Sequence, residues 1–130
     1  MSTRRAFVLG GLATFVATSR AHARCVPIPL SDEIARARYV VEARVTSIDA
    51  HAAVLEVLAA WKGRPSRTLT VSFARQSHAL RSAAADTVLV VFAQGPNDAH
   101  LLVYPCGATS PLTPELAEEL AHEGLRRTAL

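Results

Sequence analysis

The chain has 130 residues, half of them hydrophobic, with 14 basic and 11 acidic side chains and a formal charge of +3. That length suits one domain with a real core and is too short for two. Arg4, Arg5 and Arg20 precede position 24 and every acid follows it, so residues 24–130 balance at 11 charges of each sign; a nucleic-acid partner thereby loses its main electrostatic support, and none is expected.

The first 23 residues form an address. Thr3-Arg4-Arg5 leads into an apolar run from Ala6 to Ala17 that holds Gly10 and Gly11, and Ala21-His22-Ala23 has the small-x-small form cut by a signal peptidase. A paired arginine before a short, mildly apolar run is the pattern of a twin-arginine export signal, and the general secretory route is the alternative. The run is shorter than the ~20 residues of a membrane-spanning helix. Cys25 lacks the Leu-Ala-Gly type of box that directs lipid attachment. The expectation is a cleaved leader at 1–23 and a single domain at 24–130, periplasmic or secreted, with no stable membrane anchor after cleavage.

Beyond the leader, Pro27 and Pro29 hold the chain extended, because proline disfavours helix at the residue before it. Ser31 reads as an N-cap, with Asp32 and Glu33 in the first turn where the dipole favours acids, and predicts a short helix to about Arg38. Residues 39–48 alternate, with Val41, Ala43 and Val45 against Glu42, Arg44 and Thr46, as a half-buried strand does. Asp49-Ala50 turns the chain, and residues 51–60 return with Ala53, Leu55 and Val57 on one face. Trp61-Lys62-Gly63-Arg64-Pro65 breaks that pattern. Residues 67–74 alternate again around Leu69, Val71 and Phe73. Residues 75–86 are polar and Ala-rich, a loop with some helix. Val88-Leu89-Val90-Val91-Phe92 is the unbroken apolar run of a central strand. Gly95-Pro96-Asn97-Asp98 is a turn, and residues 100–104 return as a fifth strand. Thr113 and Pro114 open a C-terminal helix at its cap and first position, with Leu112, Leu116 and Leu120 as its apolar stripe, early glutamates, and Arg126 and Arg127 in its last turns.

Five strands with a terminal helix and no strand–helix–strand alternation predict a five-stranded antiparallel barrel of the OB type, with a short N-terminal and a C-terminal helix. Closure leaves no exposed sheet edge. Cys25 and Cys106, an even pair in an exported chain, are expected to form a disulfide. A loop that long adds ~4 kcal/mol in the chain-entropy description.

On these residues the domain resembles the tissue inhibitors of metalloproteinases and other netrin-like domains, especially their small bacterial relatives. The resemblance rests on Cys25 before a short helix, the strand Val40-Val41-Glu42-Ala43-Arg44-Val45, and Val54-Leu55-Glu56-Val57-Leu58 running into Trp61-Lys62-Gly63. It continues in Val88-Leu89-Val90-Val91-Phe92-Ala93 and ends in Cys106 followed by Pro111-Leu112. It implies an OB-type fold and a protein, protease-like partner. In the animal inhibitors the amine and carbonyl of an N-terminal cysteine chelate the target's zinc. Carried over, Cys25 takes that place, with Val26 and Pro27 beside it in the cleft. Cleavage after Ala23 leaves Arg24 in front of Cys25 and blocks the amine, and the loop Arg75-Gln76-Ser77-His78-Ala79 lacks the family's further cysteines.

No catalytic set assembles in the sequence. His51, His78, His100 and His122 lack the i, i+4 spacing of a helical metal pair, and Ser72, Ser77 and Ser110 lack a nucleophile-elbow setting. No enzyme activity, cofactor or resident metal is expected. Asp32-Glu33 and Glu118-Glu119 read as helix-start and solvated-face acids. Trp61 is the aromatic candidate for partner contact, together with Cys25, Val26 and Pro27, against a purely structural tryptophan closing one end of the barrel. The functional expectation is a monomeric, exported, non-enzymatic protein-interaction module. Its alternatives are a metalloprotease inhibitor acting through the Cys25 segment and an OB barrel binding a small ligand or oligosaccharide. The intact mass of the protein recovered from the cell envelope separates these: a chain starting at Arg24 that gains two hydrogens on reduction fits the disulfide-stapled module. A chain starting at Cys25 restores the chelating amine.

Overall fold

The computed structural model describes residues 26, 28–73, 80, 86–104 and 107–130. The expected leader, the Cys25–Cys106 disulfide, Pro27, and the loop with some helix at 75–86 except Leu80 and Asp86 lie outside the described residues. The five strands form where the alternation predicts them: β1 (Tyr39–Ile48), β2 (Ala52–Lys62), β3 (Thr68–Phe73), β4 (Val88–Gln94) and β5 (Leu101–Val103). They close in the order β1-β2-β3-β5-β4, with β4 pairing back onto β1. One face of each strand fills the barrel: Val41 and Ala43 of β1, Leu55 of β2, Val71 of β3, Val91 of β4 and Val103 of β5 are fully buried there.

The expected all-antiparallel barrel is corrected at one seam, since β3 and β5 run parallel through Val71↔Leu101, Ser72↔Leu102 and Phe73↔Val103. The reason is parity. Strands that alternate in direction cannot return to their start around a ring of odd number, so one pair must be parallel. The β4–β5 turn that permits closure needs glycine at position 95: its φ is +150°, and a Cβ would collide with the carbonyl of His100.

The outer face of β1 and β4 is buried as well. Val40, Val90 and Phe92 pack beneath Leu116 and Leu120 of α2 (Pro114–His122), with Leu30 and Ile34 of α1 (Leu30–Arg36) alongside. Burial on both faces explains why β4 reads as an unbroken apolar run. Two short additions were not predicted. β6 (Ser110–Pro111) pairs with β4, and β7 (Thr128–Ala129) pairs with β2 beyond the stretch taken by β3. Between β5 and β6 the amide of Phe92 faces a gap in the ladder. The buried Thr109 hydroxyl fills it, accepting at 3.0 Å.

Both helices depart from expectation at one end. α1 begins at Leu30, not after a Ser31 cap. The carbonyl of Pro29 accepts from Asp32 and Glu33, and no side chain caps the helix. Leu30 packs against the outer cluster, and the helix starts two residues early. α2 is capped as predicted, Thr113 Oγ1 accepting from Leu116 N at 3.1 Å, with Pro114 at its start. It ends at His122, so Arg126 and Arg127 lie beyond it and Leu112 precedes it. The stop is Gly124 at φ +90°. Gly124 N donates to the carbonyl of Ala121 and Leu125 N to that of Leu120, a Schellman arrangement.

Glu33 lies in the first turn of α1, as expected of a helix-start acid, and is only 1% exposed. Its Oε1 accepts from Ala108 N at 2.7 Å, tying α1 to the segment ahead of β6. Its Oε2 has no partner among the described residues, and it lies where a Cβ of residue 107 would stand, so glycine occupies that position. Burial pushes the Glu33 carboxyl above its ordinary pKa, and the Ala108 amide opposes the shift. A raised carboxyl favours the folded state in its protonated form. That stabilisation is present below the ordinary carboxylate pKa and is lost as pH rises through the folded-state value. Thermal unfolding of the wild type is therefore expected to lose more stability from mildly acidic to neutral pH than Glu33→Gln does. Parallel stability profiles contradict this.

Candidate functional site

The outward side chain of β1 between Val40 and Arg44 is a glutamate, and the sequence pattern marks it as solvent-facing. The structure corrects this: Glu42 is 3% exposed, between Ala59 of β2 and Val90 of β4. A carboxylate buried there costs several kcal/mol unless it is paired and hydrogen-bonded. Two distant residues meet that demand. Trp61 Nε1 donates to Oε2 at 2.8 Å. Arg127 donates from Nε to Oε2 at 2.7 Å and from Nη2 to Oε1 at 3.0 Å, a two-point clasp. The carboxylate in turn holds the Arg127 guanidinium above its ordinary pKa.

Trp61 reaches Glu42 through a bulge. β2 does not break at Trp61 as the sequence suggests but continues to Lys62. Val40 pairs with Lys62 and Val41 with Ala60, so Trp61 is the extra residue. The bulge turns Trp61 and Lys62 to the same outer side. Lys62 Nζ donates to the carbonyls of Ile34 at 2.7 Å and Ala35 at 3.4 Å, capping the end of α1. Gly63 follows at φ +84°, where a Cβ would stand 2.6 Å from the Tyr39 ring. The Trp-Lys-Gly triplet is thus a structural joint that also presents an aromatic. Trp61 packs on the outer cluster and does not close an end of the barrel.

Above the clasp lies an open cavity of about 410 Å³. Trp61, Leu112, Pro114 and Ala117 wall it, and Glu42, Arg127 and Thr113 are its polar lining residues. Leu112, 39% exposed, stands at this cavity where the sequence placed it in the α2 stripe. Arg127 arrives because Gly124 turns the tail back, Leu125 packs on the outer cluster and β7 pairs with β2. The signal for Glu42 was present in the neighbouring strand. A β4 that is apolar on both faces requires a cover, and the cover extends over β1.

The other expected positions fall elsewhere. Val26 is 62% exposed and is not part of the cavity; Cys25, Pro27 and Cys106 lie outside the described residues. His51, His100 and His122 are exposed, and Ser72 is exposed on β3. Among the described residues no group of three or more His, Cys, Asp or Glu side chains is placed to hold a metal ion, and no helix is long and apolar enough to cross a membrane. His122 borders a second cavity with Leu30, Glu118, Glu119 and Glu123, on an acidic flank of α2. At the β4–β5 turn, Tyr39 donates to Asp98 at 2.6 Å and Arg38 pairs with the same oxygen at 3.2 Å. Asp98 is held below the ordinary carboxylate range, first by the Tyr39 hydroxyl and then by Arg38. This cluster pins the turn to the start of β1.

The chain matches no model of a known protein family. It also has no sequence match among curated proteins.

The clasp carries an asymmetry that can be measured. Arg127→Ala leaves a buried carboxylate with one remaining donor, whereas Glu42→Gln leaves a half-exposed guanidinium free to turn to water. We expect Arg127→Ala to lower unfolding free energy by about 2 kcal/mol, discounted from a fully buried pair because Arg127 is 49% exposed. Glu42→Gln is expected to lower it by about 1 kcal/mol. Chemical denaturation of the two variants orders them, and the reverse order contradicts the assignment.

Proposed function

We propose that the protein is an exported, non-enzymatic protein-interaction module of the netrin-like type, binding its partner over the outer flank of the barrel. The observation that carries this reading is the Trp61 cavity above the Glu42–Arg127 clasp. Tryptophan and arginine are the residues that most often anchor protein interfaces, and they do so when rigidly held beside a desolvated pocket. Trp61 is held by its indole N–H and by its position on the bulge. The exported setting rests on the Arg4-Arg5 leader and its Ala21-His22-Ala23 cleavage site.

The face on which OB barrels commonly stack nucleotides or sugars lends less support to a ligand-binding role. Along the outer side of β3, Thr68, Thr70 and Ser72 are exposed, and Arg44 pairs with Glu56 across β1 and β2 at 2.9 Å. None of these offers an aromatic platform for a base or a sugar ring. The barrel interior is filled by its own side chains. Zinc chelation by Cys25 depends on a free amine there, which a chain beginning at Arg24 does not have.

A photo-crosslinking amino acid placed at Leu112, beside the cavity, or at Thr70, on β3, tests the reading in the native cell envelope. A discrete polypeptide adduct is expected from position 112 and none from position 70. Adducts from position 70 alone, or saccharide binding in place of any polypeptide adduct, overturn it.

A further inference from the structure

The clasp leaves part of Arg127 unused. Glu42 takes Nε and one proton of Nη2. A guanidinium has five N–H donors, and its end-on pair, Nη1 with the second proton of Nη2, matches the two oxygens of a carboxylate. No acceptor among the described residues reaches that pair. Glu42 accepts three hydrogen bonds, two at Oε2 and one at Oε1. The buried carboxylate therefore acts as a backstop. It holds the guanidinium in one orientation, so little side-chain entropy remains to be lost when an anion arrives.

The walls beside Arg127 are mostly apolar, with Thr113 among Trp61, Leu112, Pro114 and Ala117. The occupant must bring a carboxylate and an apolar body together. A polypeptide's C-terminal residue with an apolar side chain carries both on one unit, whereas an internal Asp or Glu brings only one or two methylenes. A cavity of about 410 Å³ that opens to solvent has room for one such residue with its chain leading out.

We propose that the Trp61–Arg127 cavity is a capture site for the free C-terminus of a partner polypeptide ending in an apolar residue. The α-carboxylate takes the end-on edge of Arg127 and the side chain lies against Trp61 and Ala117. The proposal rests on the protein-interaction reading above and narrows it to one chemical feature of the partner. Because Glu42 already balances the charge of Arg127, recognition comes through directed hydrogen bonds more than through long-range attraction. The site is expected to be only mildly sensitive to salt.

Trp61 is the chain's one tryptophan and lines the cavity, so its fluorescence reports occupancy directly. The probes are N-acetyl-alanyl-leucine with a free carboxylate, its C-terminal amide, and octanoate, titrated into the protein recovered from the cell envelope. The free acid is expected to shift Trp61 emission saturably, with the amide weaker by about tenfold or more, the value of one charge-assisted pair. Ala117→Phe fills the cavity while leaving Glu42, Trp61 and Arg127 unmutated, and should abolish the response. Arg127→Lys keeps the charge but loses the two-point edge, and should weaken the acid toward the amide.

Equal binding of acid and amide overturns the proposal, as does an unchanged response in Ala117→Phe. Saturable binding of octanoate without either peptide also overturns it, in favour of a small-molecule carboxylate site. If no probe binds while the position-112 adduct still forms, terminal-carboxylate capture fails and the interaction reading stands. If the adduct is absent as well, both fail.

Discussion

The constraint on which the rest of this structure depends is the pairing of β1 on both of its edges. β1 takes β2 on one side and β4 on the other, through six paired positions from Tyr39↔Ala93 to Arg44↔Val88. That second pairing closes five strands into a ring and forces the parallel β3–β5 seam. It also sets Val40, Glu42, Val90 and Phe92 side by side on the outer surface. Three of these four are apolar, so the surface needs a lid. α1, α2 and the tail after Gly124 supply it, and Glu42 is sealed beneath them with its partners.

A buried carboxylate in that position organises its surroundings because leaving it unpaired is costly. Trp61 turns outward on a bulge and Arg127 returns from the far end of the chain, each donating to the same oxygen. The exposed Arg44–Glu56 pair, by contrast, is worth at most about 1 kcal/mol and organises nothing around it. The difference between the two glutamates is burial, not chemistry. The same burial fixes Trp61 and Arg127 in place over Glu42 by hydrogen bonds.

The barrel strands and the Thr113 cap were legible because their causes are local. Val41, Ala43 and Val45 alternate with polar neighbours within one strand, and Thr113-Pro114 start a helix by themselves. Gly95 also showed its role, as glycine does wherever the backbone enters a region closed to other residues. Glu33 does lie in the first turn of α1 as the sequence predicts, but its burial, like that of Glu42, was not legible, for one shared reason. Alternation shows which face of an element a residue occupies and does not show what covers that face. Arg127 was misread because a basic residue after a helical stretch looks like a dipole partner, and Gly124 had already ended the helix.

The sequence by itself determined the place of the five barrel strands and the C-terminal helix with its cap. These follow from periods and neighbours a few residues apart. The parallel seam follows from five strands in a closed ring, although no single residue announces it. Only the tertiary structure decided that Glu42 is buried, that Trp61 covers it and that Arg127 completes the clasp. Arg127 and Glu42 are 85 residues apart. Their meeting depends on ring closure, on the turn at Gly124 and on β7 finding β2, and no local pattern in the chain encodes that encounter.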